Sequence, residues 1–258
     1  MSTLPLPVNL TEQLLRNAIP NSKSRIELWS QVIKSSGTRC MAEIGVYRGD
    51  FAASMLQHCE NLTSYYMVDP WRHLSDWNKP ANHEDKVLEE FFRETKAKTE
   101  FAAAKRIILR GKTTEVIERI GDGELDFAYI DADHTLKGIT IDMMRVYPKV
   151  RQGGLLGGDD FTASVWEHNT SFEPTLVFPF AVYFAEAVGA TIYALPCSQF
   201  CLEKNTDSQF RFVDLTATYG DVSLRSQFAP EKILKTAMSN RFPSLMRVAS
   251  KTKSLLQR

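Results

Sequence analysis

The chain has 258 residues, 43% of them hydrophobic, enough for a substantial core in one large domain or two small ones. Its 31 basic and 31 acidic residues cancel, so nothing marks the whole molecule as a nucleic-acid binder. "MSTLPLPVNL" lacks the basic and apolar regions of a secretory leader, no later stretch is long enough to span a bilayer, and four cysteines without a C-x-x-C read as reduced thiols of a cytoplasmic protein.

The first twenty residues read as an irregular arm. "SRIELWSQVIKSSG" then carries a capping box, Ser24 to Glu27, apolar Ile26, Trp29 and Ile33 at helical spacing, and Gly37 to end the helix. Short apolar runs follow, "RCMAEIG", "SYYMVDP", "RIILRG", "LDFAYID" and "GGLLGGDD", each ending in Gly or Asp. Helical segments at 84–99 and 136–150 lie between them. Near-continuous apolar strands alternating with helices predict a doubly wound, mostly parallel sheet covered on both faces, with ligands beyond the carboxyl ends of its strands. The sheet pattern fades after residue 204. From "FAPEKILKTAMSN" onward the chain is basic, with Lys232, Lys235, Arg241, Arg247, Lys251, Lys253 and Arg258 against Glu231. Such a tail is either a solvated helix with a frayed end or a peripheral contact for an acidic membrane surface.

Three stretches carry chemistry. In "AEIGVYRGDFAASML", Glu43 closes the first strand, Gly45 and Gly49 occupy the turn, and Asp50 stands where a helix N-cap belongs. The spacing is E-x-G-x-x-x-G; the third glycine of a dinucleotide fingerprint is missing. In "YYMVDPW", Asp69 ends the second strand 26 residues after Glu43, about where a ribose-binding acid is expected, although Asp-Pro alone starts many turns. In "YIDADHTLKG", Asp131 ends the fourth strand, and "GGDDF" puts Asp159 and Asp160 at the end of the fifth. Adjacent strands bring these three carboxylates into one crevice, where they repel unless a cation neutralises them. All-oxygen ligands suit Mg²⁺, Mn²⁺ or Ca²⁺. Asp133 is the expected cap of the following helix. His134 is the favoured general base, with Asp133 and His168 as alternatives. The aromatic, polar insert at 71–85 reads as a lid or an adenine-packing wall, or else a surface loop.

These residues resemble the class I S-adenosylmethionine-dependent methyltransferases, and within them the metal-dependent O-methyltransferases of the macrolide and aminocoumarin sugar type and, more distantly, the catechol and caffeoyl-CoA type. The resemblance covers about residues 37–204. "EIGVYRGDFAASML" looks like the first family motif, "MVDPW" like the acidic position after it, and the 28-residue step from Asp131 to Asp159 matches the spacing of the family's metal ligands. "FPFAVYFAEAVGATIYAL" and "SQFCLEK" fit the last helix and an antiparallel final strand pair of a Rossmann-like, seven-stranded sheet. The organisation implied is an N-terminal arm and helix at 1–36, a methyltransferase domain at 37–204, and an extension with a basic tail at 205–258.

The resemblance further implies S-adenosyl-L-methionine as cofactor, bound by Glu43, Gly45, Tyr47, Gly49, Asp69, Trp71, Gly111, Lys112 and Asp131, with a divalent metal, magnesium for example, on Asp131, Asp159 and Asp160. The acceptor is a hydroxyl of a sugar, glycan or other small molecule, ahead of a catechol. "TASVWEHNTSFEPTLVF" offers Trp166, Phe172 and Phe178 to stack on it. A homodimer is the commonest assembly for such a chain. The rivals from other classes are a nicotinamide dehydrogenase, disfavoured by Asp50 and Phe51 after Gly49, and a non-catalytic cofactor-binding module.

Overall fold

The computed structural model describes residues 9–167, 170–205, 209–220 and 222–241. Among these residues, eight strands form one sheet in the order β3-β2-β1-β4-β5-β7-β6-β8. They are β1 (Cys40–Ile44), β2 (Ser64–Asp69), β3 (Arg106–Arg110), β4 (Leu125–Ile130), β5 (Val150–Gly158), β6 (Thr191–Leu195), β7 (Gln199–Glu203) and β8 (Arg211–Asp214). Neighbouring pairs from β3 to β5 run parallel, whereas β7 is antiparallel to both β5 and β6. The expected doubly wound sheet is present, with one strand more than the seven anticipated. The last strand, β8, pairs parallel with β6. Its four residues, RFVD, are exposed or half-buried and too few to give a sequence signal.

Helices α1 (Leu10–Ala18), α2 (Arg25–Ser35) and α3 (Asp50–His58) cover one face, packing Leu15, Trp29, Ile33 and Met55 against Met41, Phe127 and Tyr129 of the sheet. Helices α6 (Leu136–Val146) and α7 (Val177–Ala187) cover the other, with Ile139, Met143, Ala181 and Ala185 against Ala128, Leu156 and Ile192. Two glycines admit this packing on β5. A Cβ at Gly157 would come within 2.4 Å of the Trp29 ring, and one at Gly158 within 2.5 Å of Phe200. The remaining helices are α4 (Asp85–Lys98), α5 (Thr113–Val116), α8 (Leu224–Gln227) and α9 (Pro230–Arg241).

The ends of several elements differ from expectation. The arm contains α1, started by Asn9, whose side chain accepts from the Thr11 and Glu12 amides. Ser24 does cap α2 by accepting from Glu27 N, but the Glu27 carboxylate reaches back to Lys23 N rather than Ser24 N. Gly49, at φ 74°, is the cap of α3, and Asp50 its first residue. The cap of α6 is Thr135, accepting from Gly138 N, not Asp133. His168 and the basic residues at 247, 251, 253 and 258 lie outside the described residues; α9 carries Lys232 and Lys235.

Candidate functional site

A cavity of about 960 Å³ opens beyond the carboxyl ends of β1, β2 and β4, where the strand order reverses. The backbone sets its floor: Gly45 N bonds Val68 O at 2.9 Å, Asp131 N bonds Ile44 O at 2.8 Å, and Asp159 N bonds Ile130 O at 3.0 Å. Four strand ends are thereby held level. Gly45, at φ +88°, passes so close to Asp131 that a Cβ there would meet the Asp131 carbonyl oxygen at 2.0 Å. Only glycine fits, on both torsional and steric grounds.

Of the residues expected to hold a cofactor, Glu43, Gly45, Tyr47, Asp69, Trp71, Lys112 and Asp131 line the cavity, whereas Gly49 and Gly111 do not. Glu43 is buried and accepts from Tyr65 OH at 2.7 Å; loss of water holds its carboxyl well above the usual range. Asp69 is tied to the glycine turn. Its Oδ2 accepts from Val46 N (2.9 Å) and Tyr47 N (2.8 Å), and its Oδ1 from Trp71 N (2.7 Å). Burial raises its pKa, against those three amide bonds. The carboxylate therefore shapes the turn itself, with lone-pair capacity left for a diol. The Trp71 indole donates to Tyr47 O at 2.8 Å, locking together two residues that both have positive φ.

At the ends of β4 and β5 the three carboxylates do approach one another, although only Asp131 of the three lines the cavity, and the chain supplies cations of its own. Arg25, first residue of α2, places Nη1 2.8 Å from Asp131 Oδ2 and also pairs with Asp159. His134 pairs with Asp160 through Nδ1 and lies 3.4 Å from Asp131 through Nε2. Burial by itself would lower the His134 pKa, but Asp131 and Asp160 outweigh it and push it up to about 10. His134 thus stands between Asp131 and Asp160, with its Nε2 buried and lacking a hydrogen-bond partner. Asp159 is engaged on both oxygens: Oδ1 accepts from Asp160 N (2.8 Å) and Gln199 Nε2 (2.5 Å). Among the described residues, the set able to hold a metal is Asp131, His134 and Asp160, whose donor atoms lie within 4.8 Å of one another. Two oxygens and a nitrogen suit a divalent ion in number and kind. This set differs from the expected triad at one position, with His134 where the triad has Asp159, a carboxylate that Arg25 and Gln199 contact.

Sequence reasoning missed Arg25, Gln199, Asp142 and Trp77. Arg25 lies one helical turn before Trp29, so a charge stands in line with the buried stripe of α2; that was the available signal. Asp142 is buried on α6, accepts from Thr113 Oγ1 at 2.5 Å, and has its pKa pushed by desolvation to about 7. Asp133 accepts from Thr135 N at 2.9 Å, and its carboxyl fills the space a Cβ at Gly138 would need. Glu167 stands near Asp160, its carboxyl raised to about 7 by desolvation first and by the bond to Asp160 second.

The insert after β2 does cover the cavity. Asn78 Nδ2 donates to Ser171 O (3.0 Å), and the buried Lys79 ammonium donates to Glu173 O (2.8 Å) and Thr175 Oγ1 (3.2 Å). Trp77 lines the space beneath, with its indole N–H buried and lacking a hydrogen-bond partner. The aromatics proposed to stack on an acceptor lie elsewhere. Trp166 donates to Gln227 O at 2.8 Å, Phe178 packs on Phe161 and Tyr219, and neither they nor Phe172 line the cavity.

Residues 42–161 match a family model described as a methyltransferase domain. No curated protein matches the chain. Among solved structures, a protein described as a candidate caffeoyl-CoA O-methyltransferase from Staphylococcus aureus superposes with a TM-score of 0.54 at 15% identity, over 76% of this chain and 92% of its own. An O-methyltransferase from Bacillus cereus in complex with SAH gives 0.51 at 16% identity, over 77% and 91%. TomG of Streptomyces achromogenes, an O-methyltransferase of tomaymycin synthesis solved with SAM, gives 0.51 at 13% identity, over 79% and 93%. At these identities the likeness is one of fold.

Proposed function

We propose, for a chain that carries a methyltransferase domain over residues 42–161 and belongs with the class I S-adenosylmethionine-dependent methyltransferases, that it methylates a hydroxyl of a sugar, glycan or other natural product, with a divalent cation at the acidic pole. The observation that carries this reading is one cavity lined both by a glycine turn that Asp69 orders and by the strand-end carboxylate Asp131, with Asp159 and Asp160 just outside its lining and paired to Arg25 and His134, which do line it. At about 960 Å³ it stands near the upper end of small-molecule sites, with room for a cofactor and an acceptor together.

Bound S-adenosylmethionine would supply an electrophilic methyl group on its sulfonium, and a divalent ion on Asp131, His134 and Asp160 would supply Lewis acidity toward the acceptor oxygen. The chain's own part is alignment and proton removal. Gly45 lets the turn approach a ligand, and Asp69 keeps that turn in shape. Lys79 pins the lid to the segment after β5 and so excludes water. Trp77 presents an apolar face and an N–H donor, which suits a ring bearing hydroxyls. Beside such an ion the proton acceptors this geometry offers are Asp133 and Glu167, and His134 serves as the base only where it is not itself a ligand. A catechol acceptor is the second reading, favoured by the same Trp77 face. Among the described residues no helix is long and apolar enough to cross a membrane.

A mass-shift screen tests the reading: the protein, S-adenosylmethionine and Mg²⁺ or Mn²⁺ are incubated with panels of sugar, polyol and catechol acceptors. A gain of one methyl on a hydroxyl supports it. Transfer to amines or thiols alone contradicts it.

A further inference from the structure

The acidic pole is built around a guanidinium. Arg25 contacts both Asp131 and Asp159, and is more than a loose surface charge, because a closed circuit stands behind the pair. Asp159 accepts from Gln199 Nε2 at 2.5 Å, and Gln199 Oε1 accepts from Trp29 Nε1 at 2.7 Å and Tyr129 OH at 2.8 Å. Trp29 lies one turn further along the helix that begins with Arg25. The circuit thus ties the first turn of α2 to the ends of β4 and β5. Every side-chain oxygen of Asp131 and Asp159 faces a partner within the chain: His134 and Arg25 for the former, Gln199 and Arg25 for the latter.

A divalent ion on Asp131, His134 and Asp160 needs the Asp131 lone pair that the guanidinium occupies, and at such separations two cations repel strongly in a partly buried site. Resting on the metal reading above, we propose that Arg25 and a divalent cation are alternative occupants of this crevice. With Arg25 in place, Asp131 and Asp159 are neutralised and α2 is docked. An ion that takes Asp131 expels the guanidinium from that carboxylate and loosens the first turns of α2. Because Arg25 lines the cavity, ion loading and the shape of the cavity mouth are then coupled.

Mn²⁺ binding to the metal-free full-length chain tests this, without acceptor or turnover. Affinity is read by electron paramagnetic resonance of free Mn²⁺ for the wild type, Arg25→Met and Arg25→Lys, and amide exchange over residues 25–35 is followed with and without saturating Mn²⁺. Arg25→Met is expected to bind at least tenfold tighter, with Arg25→Lys between the two. In the wild type Mn²⁺ raises exchange across α2; in Arg25→Met exchange is already raised and Mn²⁺ leaves it unchanged. Affinities within twofold of one another, or wild-type α2 exchange indifferent to saturating Mn²⁺, overturn the proposal while leaving the metal reading intact. Absence of Mn²⁺ binding in all three removes the metal reading itself. If Arg25→Met does not fold, Arg25→Lys and the wild-type exchange arm decide.

Discussion

Trp29 and Gln199 are 170 residues apart in the chain, yet the indole N–H of one donates to the amide oxygen of the other at 2.7 Å in the buried interior. That bond fixes helix α2 over the sheet and orients the Gln199 amide toward Asp159. Gln199→Leu strands two donors, Trp29 Nε1 and Tyr129 OH, and removes a donor from a carboxylate. Each buried unsatisfied group costs about 1–3 kcal/mol, so a loss of roughly 2–5 kcal/mol is expected in urea denaturation. A loss below about 1 kcal/mol would show that the network is not what holds α2.

Gly45→Ala is expected to abolish cofactor binding. Its φ of +88° is unfavourable for alanine, and the new Cβ would collide with the Asp131 carbonyl oxygen, forcing β1 and β4 apart where the cavity begins. The measurement is calorimetric titration with S-adenosylhomocysteine beside a melting curve. Wild-type affinity in this variant would remove Gly45 from the cofactor end.

The ends of the strands were the most legible part of the sequence. Apolar runs closing in Glu43, Asp69, Asp131 and Asp159 mark buried parallel strands, and period and composition carry that without tertiary knowledge. The charge balance of the crevice was half legible: three clustered carboxylates require a cation, but Arg25 reaches them from 106 residues away, through packing that no local pattern encodes. Asp69 read as a ribose ligand because its position on the strand is visible, while the three amides that converge on it depend on the path of the turn. Strand β8 and helix α1 escaped because four and nine residues are too few for periodicity to outweigh polar surroundings. The caps of α3 and α6 lie within one or two residues of the expected positions, the usual uncertainty at helix ends.

Asp142 gives the fold a pH dependence. Its carboxyl pKa, about 7 in the folded chain against 3.8 for the free group, is raised by burial, so the native state holds a proton that the unfolded chain releases earlier. This contribution to stability is full below about pH 4 and is lost as pH rises through 7. The loss is on the order of 4 kcal/mol. Burial raises Glu43 and Asp69 in the same direction. Asp142→Asn keeps the Thr113 bond and is expected to flatten the curve between pH 5 and 8. Parallel denaturation profiles for the two proteins would contradict the assignment.

The lid should affect the acceptor and spare the cofactor. Lys79→Met removes two hydrogen bonds that pin the lid, and Trp77→Ala removes the apolar face and its N–H donor beneath it. Once an acceptor is in hand, each is expected to raise its KM about tenfold or more while S-adenosylhomocysteine affinity stays within twofold. Equal losses in both would mean that the lid closes over the cofactor end instead.

The most direct measurement is calorimetric titration of the purified chain with S-adenosylhomocysteine and, separately, with NAD, on the wild type and on Asp69→Ala. One molecule of S-adenosylhomocysteine bound per chain, weakened at least tenfold by Asp69→Ala, with no heat from NAD, is the predicted result. Silence with S-adenosylhomocysteine, or binding of NAD in its place, would contradict the reading of this cavity as a methyl-transfer site.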